Sequence, residues 1–248
     1  MRGGAAPSFV RHLKEHEGYQ MLTTIGTGSS YFNSRQAYQS LGVDQVVFLE
    51  ESDDFKRDPH DAYIFDGDVF DFHLHRLKQA KAQSHQPIVN YIVGMYGHTP
   101  FFRNKDKRPD HIRVEPHHDE IHLIANQFYY RTQALGNYLS QLSELDPHAV
   151  IYITSDHLPP VISSSVTYQK GKMDNISLLR VDNESVDVSG KSHNQIPRFI
   201  WGNIISKYNK RVIPQIELER CYFDIISKSF LKNDELILDT NRATDLEY

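Results

Sequence analysis

Two side chains with the donors for metal chemistry stand side by side at the end of a strand-like run. Ala149 to Ile153 is apolar and mostly β-branched, and Asp156-His157 follows almost at once. A run of this kind predicts a strand buried on both faces of a parallel sheet, and Pro159-Pro160 ends it. Ligands of open α/β sheets bind at the carboxyl ends of the strands. A carboxylate oxygen beside an imidazole nitrogen suits Mg²⁺, Mn²⁺ or Zn²⁺. The same pair also fits a turn-capping Asp and a surface His.

A second apolar run, Ile88 to Gly94, ends in Met95-Tyr-Gly-His98-Thr-Pro-Phe101 and repeats the arrangement of strand, histidine and proline. Two strands that deliver histidines to one edge strengthen the case for a site. His118 and His122 would share a helix face at i, i+4, but the run is not the HExxH order of a zinc protease, because the acid lies at the wrong position. A solvated first helical turn, with acids near the positive end of the dipole, is the reading adopted. Gly26-Thr-Gly28-Ser-Ser has glycines and hydroxyls that can cradle phosphate. It lacks the lysine of a Walker loop, and an ordinary strand-to-helix turn accounts for it.

The elements that position these residues follow the hydrophobic periodicity. Helices are predicted over 7–17, 33–41, 66–83 and 121–145, with strands at 19–25, 43–49, 88–94 and 149–153. Val69, Phe70, Leu74 and Leu77 form the apolar stripe of the third helix, with His73 and His75 placed on its flanks. Residues 102–119 read as a mobile surface loop. Weak strands are expected near 177–181 and 186–188, a further strand at 196–202 and a helix at 217–231. Residues 232–248 read as a frayed tail. With no repeats and no Gly/Ser linker, residues 1–248 are read as one α/β domain.

At 248 residues, with 39% hydrophobic and 24% charged residues, the composition is that of a soluble globular protein. A net charge of −5 gives no reason to expect a nucleic-acid partner. Cys221 is the single cysteine, which excludes an internal disulfide framework and a thiolate metal cluster. No apolar run is long enough to span a bilayer, and the first residues lack the apolar core of a secretory signal.

Several pieces together resemble the extracellular domain of the lipoteichoic acid synthases and related phosphoglycerol transferases, in the sulfatase branch of the alkaline phosphatase superfamily. They are Leu13-Lys-Glu-His-Glu-Gly18-Tyr19, Tyr31-Phe-Asn-Ser-Arg-Gln-Ala-Tyr38, Leu41-Gly-Val-Asp44, Gly97-His98-Thr-Pro-Phe101 and Ser155-Asp156-His157. The resemblance covers about residues 8–160. It implies a three-layer α/β/α sandwich with a mostly parallel sheet, here lacking its N-terminal part. It further implies phosphotransfer through a covalent phosphothreonine, with a divalent ion, Mn²⁺ or Mg²⁺ before Zn²⁺. Asp156 and His157 match two ligands of that ion, and His98 matches the histidine that touches the substrate phosphate.

The departures are specific. The family's acidic ligand and nucleophilic Thr both precede the segment matching 7–19, so neither role is carried to Thr23, Thr24 or Thr27. The substrate-gripping Trp and Arg fall at Phe32 and Ser34, with Arg35 one place away, and Ile25 stands where a histidine is expected. The implied partners are an anionic lipid headgroup donor and a glycan or lipid acceptor at the extracytoplasmic side of a membrane, with membrane contact only through a missing N-terminal region. Two alternatives remain: a metal-dependent sulfatase or phosphodiesterase using the same residues, and a non-catalytic remnant binding anions through Arg35, His98 and the Arg103–Arg108 loop.

Overall fold

Strand β1 is the six-residue run Gln20–Ile25, whose last five residues are buried. In the computed structural model it is the middle strand of a three-stranded sheet, between β2 (Val46–Phe48) and β3 (Ile88–Val93). The pairing with β2 is parallel and in register from Thr23 opposite Val46 to Ile25 opposite Phe48. The described residues are 9–43, 45–155, 159–163, 165, 177–187, 230–232 and 235–237. They fall into two compact units. One comprises Met1–Met21, Gln36–Asp44 and Val188–Tyr248, and the other Leu22–Arg35 and Gln45–Asp187.

The first unit holds helix α1 (Phe9–Glu17), which buries Leu13. It also holds most of helix α2 (Ser34–Ser40). The end of α2 is a Schellman motif. Gly42 adopts a φ of 88°, Val43 N–H donates to the Tyr38 carbonyl at 3.0 Å, and Gly42 N–H donates to Gln39 at 3.1 Å. Only a residue without Cβ takes that φ at no cost, and the two bonds satisfy carbonyls the helix leaves open. A short antiparallel hairpin, β7 (Phe230–Lys232) and β8 (Glu235–Ile237), belongs to the same unit and occupies part of the expected tail.

In the second unit, helix α3 (Asp66–Gln83) and helix α4 (Asp119–Leu145) pack together against the sheet. Leu22 of β1 meets Leu74 and Leu77 of α3 and Tyr138 and Leu142 of α4, all buried. A second cluster, Leu49, Ile64 and Val69, lies under the segment that follows β2. Both helices occupy nearly the spans their periodicity predicts.

Three expectations need correction. First, strand β4 (Ile151–Thr154) is only half-buried. Among the described residues it pairs with β5 (Ser177–Val181), antiparallel, and β5 pairs with β6 (Glu184–Val186). Among the described residues, then, its pairing is antiparallel and the run is not buried on both faces. Second, His73 is fully buried rather than on a flank. It accepts at Nδ1 from the Thr24 hydroxyl (2.9 Å) and donates from Nε2 to Asn90 Oδ1 (3.1 Å), partners supplied by β1 and β3. Third, the segment 102–119, expected as a surface loop, is mostly exposed but is pinned from inside at three positions. Arg103, Asn104 and Arg108 are buried and tied to Asp61 and Asp110.

The expected strand at 196–202 and nearly all of the helix at 217–231 lie outside the described residues, as do Asp156 and His157.

Candidate functional site

The C-terminal edge of the β2-β1-β3 sheet gathers three segments. Gly26 N–H donates to the Val93 carbonyl at 2.9 Å, so the turn after β1 and the loop after β3 leave the sheet side by side. The 3₁₀ turn Leu49–Glu51 leaves β2 at the same edge, next to Phe48, which is paired with Ile25.

The loop after β3 carries His98, and its course is fixed from beneath. Asp66, buried at the start of α3, accepts from Tyr96 N–H at 3.1 Å and from Arg131 Nε at 2.9 Å. Gly94 makes that approach possible, because a Cβ there would lie 2.3 Å from Asp66 Oδ1. Gln127 Nε2 donates to the Tyr96 carbonyl, and the Tyr96 hydroxyl donates to Asp61 Oδ1 at 3.2 Å. Arg108 closes the network, with Nε on the Tyr96 hydroxyl at 2.9 Å and Nη2 on Asp61. A buried pair of this kind is held by its hydrogen bonds as much as by charge.

His98 itself is half-buried. Its Nδ1 lies 2.7 Å from the Thr99 carbonyl, and the Tyr63 hydroxyl donates to the same oxygen at 2.8 Å. A ring nitrogen facing a carbonyl carries the proton, so the neutral ring presents Nε2 as its acceptor. The Tyr63 and His98 rings meet edge to face at 5.8 Å. Burial, a hydrogen bond with Tyr31 and the charge of Glu50 push the Tyr63 hydroxyl up to about 12, so it stays a neutral donor at physiological pH.

Through Tyr31 the His98 loop reaches the turn after β1. Phe32 is 88% exposed and has a φ of 50°, and Asn33 follows at 55°. A left-handed backbone at an aromatic residue costs about 1–2 kcal/mol, and here it holds the ring out in solvent beside Tyr31, 5.3 Å away edge to face. Arg35 stacks over the Phe48 ring at 5.2 Å and pairs with Glu51 at 2.5 Å. Gly28 N–H donates to Glu50 Oε2 at 3.0 Å and Ser29 N–H to Glu51 Oε1 at 2.5 Å. The glycine turn does bind anionic oxygen, and the oxygen belongs to this chain.

The structure thus brings Phe32, Arg35 and His98 to one sheet edge and adds Tyr31, Tyr63, Glu50 and Glu51 to them. None of the four added residues stands out by spacing; the tyrosines are ordinary apolar positions until the loops converge. His118 caps α4 by accepting from Ile121 N–H, and His122 pairs with Asp110 at 3.3 Å. Among the described residues no three His, Cys, Asp or Glu side chains converge as metal ligands. The fit of an ion therefore rests on Asp156 and His157, beyond those residues. The Arg103–Arg108 loop offers little to an anion, since Arg103 and Arg108 are internal and Lys105 and Lys107 pair with Asp110 and Asp58.

Thr24, His73 and Asn90 have the outline of a nucleophile, base and orienting group, yet Thr24 and His73 have no solvent access. Burial holds the His73 imidazole down to about 4, hence neutral. This is a satisfied core histidine.

Comparison with known proteins agrees with this fold. The lipoteichoic acid synthase LtaP from Listeria monocytogenes is similar, with a TM-score of 0.54 and 18% identity over 65% of this chain and 39% of that one. A protein of the alkaline phosphatase superfamily from Vibrio parahaemolyticus has a TM-score of 0.55 and 14% identity over 73% of this chain and 43% of that one. The chain thus spans about two fifths of the length of either structure. No curated protein matches it. The sequence model of the sulfatases matches residues 2–218. The fold is of the alkaline phosphatase superfamily type, and the chain belongs to the sulfatase family.

Proposed function

We propose that the sheet edge around His98 holds the anionic head group of a phosphodiester, and that the parent activity is transfer of phosphoglycerol or phosphoethanolamine from a lipid to a glycan or lipid acceptor of the cell envelope. The observation that carries this reading is that Phe32, in the turn after β1, Arg35, in the first turn of α2, and His98, on the loop after β3, stand at one edge of the sheet. Arg35 supplies positive charge and paired donors for phosphoryl oxygens. The Phe32 ring offers an apolar wall to the carbon skeleton of the head group. His98, oriented through the Thr99 carbonyl, acts at Nε2. In its protonated form it donates to a non-bridging oxygen or gives that proton to the leaving alcohol, and in its neutral form Nε2 takes a proton from the incoming hydroxyl.

Asp156 and His157 are the proposed ligands of a divalent ion, Mn²⁺ or Mg²⁺. Such an ion neutralises charge on the transferring group and lowers the pKa of a bound hydroxyl. No residue is given the nucleophile's role. Localisation at the outer side of a membrane is part of the same proposal; no described helix is long and apolar enough to cross one.

A sulfatase or phosphodiesterase would use the same edge with water as the final acceptor. Product analysis separates the two: a phosphodiester donor incubated with Mn²⁺ and an added alcohol yields a new phosphodiester if the protein transfers. Free phosphomonoester alone, with the alcohol left unmodified, means hydrolysis and sinks the transferase reading.

A further inference from the structure

The donors of the candidate site are already occupied. Glu51 places one carboxylate oxygen on Ser29 N–H and the other on the Arg35 guanidinium, each at 2.5 Å. Glu50 takes the adjacent Gly28 N–H at 3.0 Å. Consecutive main-chain N–H groups with a guanidinium beside them form the donor set that a phosphate or sulfate oxygen uses. The Ser29 contacts and Arg35 lower the pKa of Glu51, which keeps the occupant anionic.

We propose that Glu51, with Glu50 beside it, is an internal occupant of an oxyanion cradle, and that an anionic ligand gains Ser29 N–H and Arg35 only by displacing it. The proposal rests on the reading of Arg35 as a ligand-holding residue and adds a gate to it.

Two features separate a gate from a fixed staple. The side chains of Arg35 and Glu51 are 48% and 39% exposed, so an anion from solvent reaches the pair directly. The 3₁₀ turn is anchored by Leu49, which is fully buried, while Glu50 and Glu51 are both exposed. Rotation of the two side chains therefore frees the cradle while the anchor stays in the core. A tethered carboxylate competes at an effective concentration in the millimolar range. It screens out weakly held monoanions and leaves the cradle to ligands that also engage Phe32 or His98.

The test titrates inorganic phosphate into the full 1–248 chain and follows the amide signals of Gly28 and Ser29 by NMR. Glu51→Ala is expected to bind phosphate roughly tenfold more tightly than wild type, and Glu51→Gln to fall between them. Asp54→Asn, an equal charge change three residues away, is expected to leave the affinity unchanged. Arg35→Ala in the Glu51→Ala background is expected to abolish the gain. Equal affinity in wild type and Glu51→Ala, with loss on removing Arg35, overturns the gate and leaves the Arg35 reading standing. Binding that is indifferent to Arg35, or no binding to any variant, overturns both.

Discussion

His73 gives the fold a dependence on acid that its structure quantifies. The imidazole is fully buried between Thr24 and Asn90 and is held at about 4, against an ordinary value of 6.5. Desolvation is the leading cause, and the positive charge of Arg76 adds to it, while the bond to Asn90 opposes them. The folded pKa is depressed, so the unfolded chain binds a proton that the folded one refuses. Stability from this residue is fully present above about pH 6.5 and is lost as the pH falls towards 4. The gap corresponds to roughly 3 kcal/mol, at about 1.4 kcal/mol per pH unit, and about 2 kcal/mol of it is gone by pH 5. Urea unfolding followed by fluorescence at pH 7.5, 6 and 5 measures it. The comparison is with His73→Gln, which keeps polar atoms and cannot titrate. Carboxylates common to both proteins contribute equally, so wild type should lose about 2 kcal/mol more than the variant between pH 7.5 and 5. Parallel profiles would refute the reasoning.

Two further predictions concern the scaffold beneath the His98 loop. Gly94→Ala forces a methyl group against the buried Asp66 carboxylate and should cost about 1–3 kcal/mol in urea unfolding; an unchanged midpoint would mean the loop yields freely. Arg108→Met leaves Asp61, whose side chain is 1% exposed, without its ionic partner. Loss of about 3 kcal/mol is expected, and Arg108→Met combined with Asp61→Asn should recover part of it in the same assay.

The legible parts of the fold were those written as local periodicity. The stripe of Val69, Leu74 and Leu77 and the long apolar face of 121–145 specify α3 and α4 to within two residues, because a helix face repeats within a few positions. Pairing was not legible in the same way. The run at 149–153 marks a strand, but its antiparallel partner lies beyond a Ser- and Asn-rich stretch, and nothing in the run itself encodes the direction of pairing. Buried polar groups were missed for a related reason. His73 and Arg108 look like surface residues until Thr24, Asn90 and Asp61, up to 49 positions away, supply their hydrogen bonds. Of the candidate site, His98 was visible from its strand-histidine-proline pattern. Phe32 and Arg35 entered only through the resemblance to a known family. Occupancy of the glycine turn by Glu50 and Glu51 had no signal at all, since two acids at the start of a charged stretch read as solvated.

The central claim, that the edge around His98 holds an anionic head group with the help of a divalent ion, is tested most directly by calorimetry. Glycerol phosphate is titrated into the 1–248 chain with and without Mn²⁺, as wild type, His98→Ala and Asp156→Ala. The account predicts Mn²⁺-dependent binding that weakens at least about tenfold in each variant, the loss of one charge-assisted contact. Binding that is unaffected by His98→Ala, or equally strong without the ion and in Asp156→Ala, would contradict it.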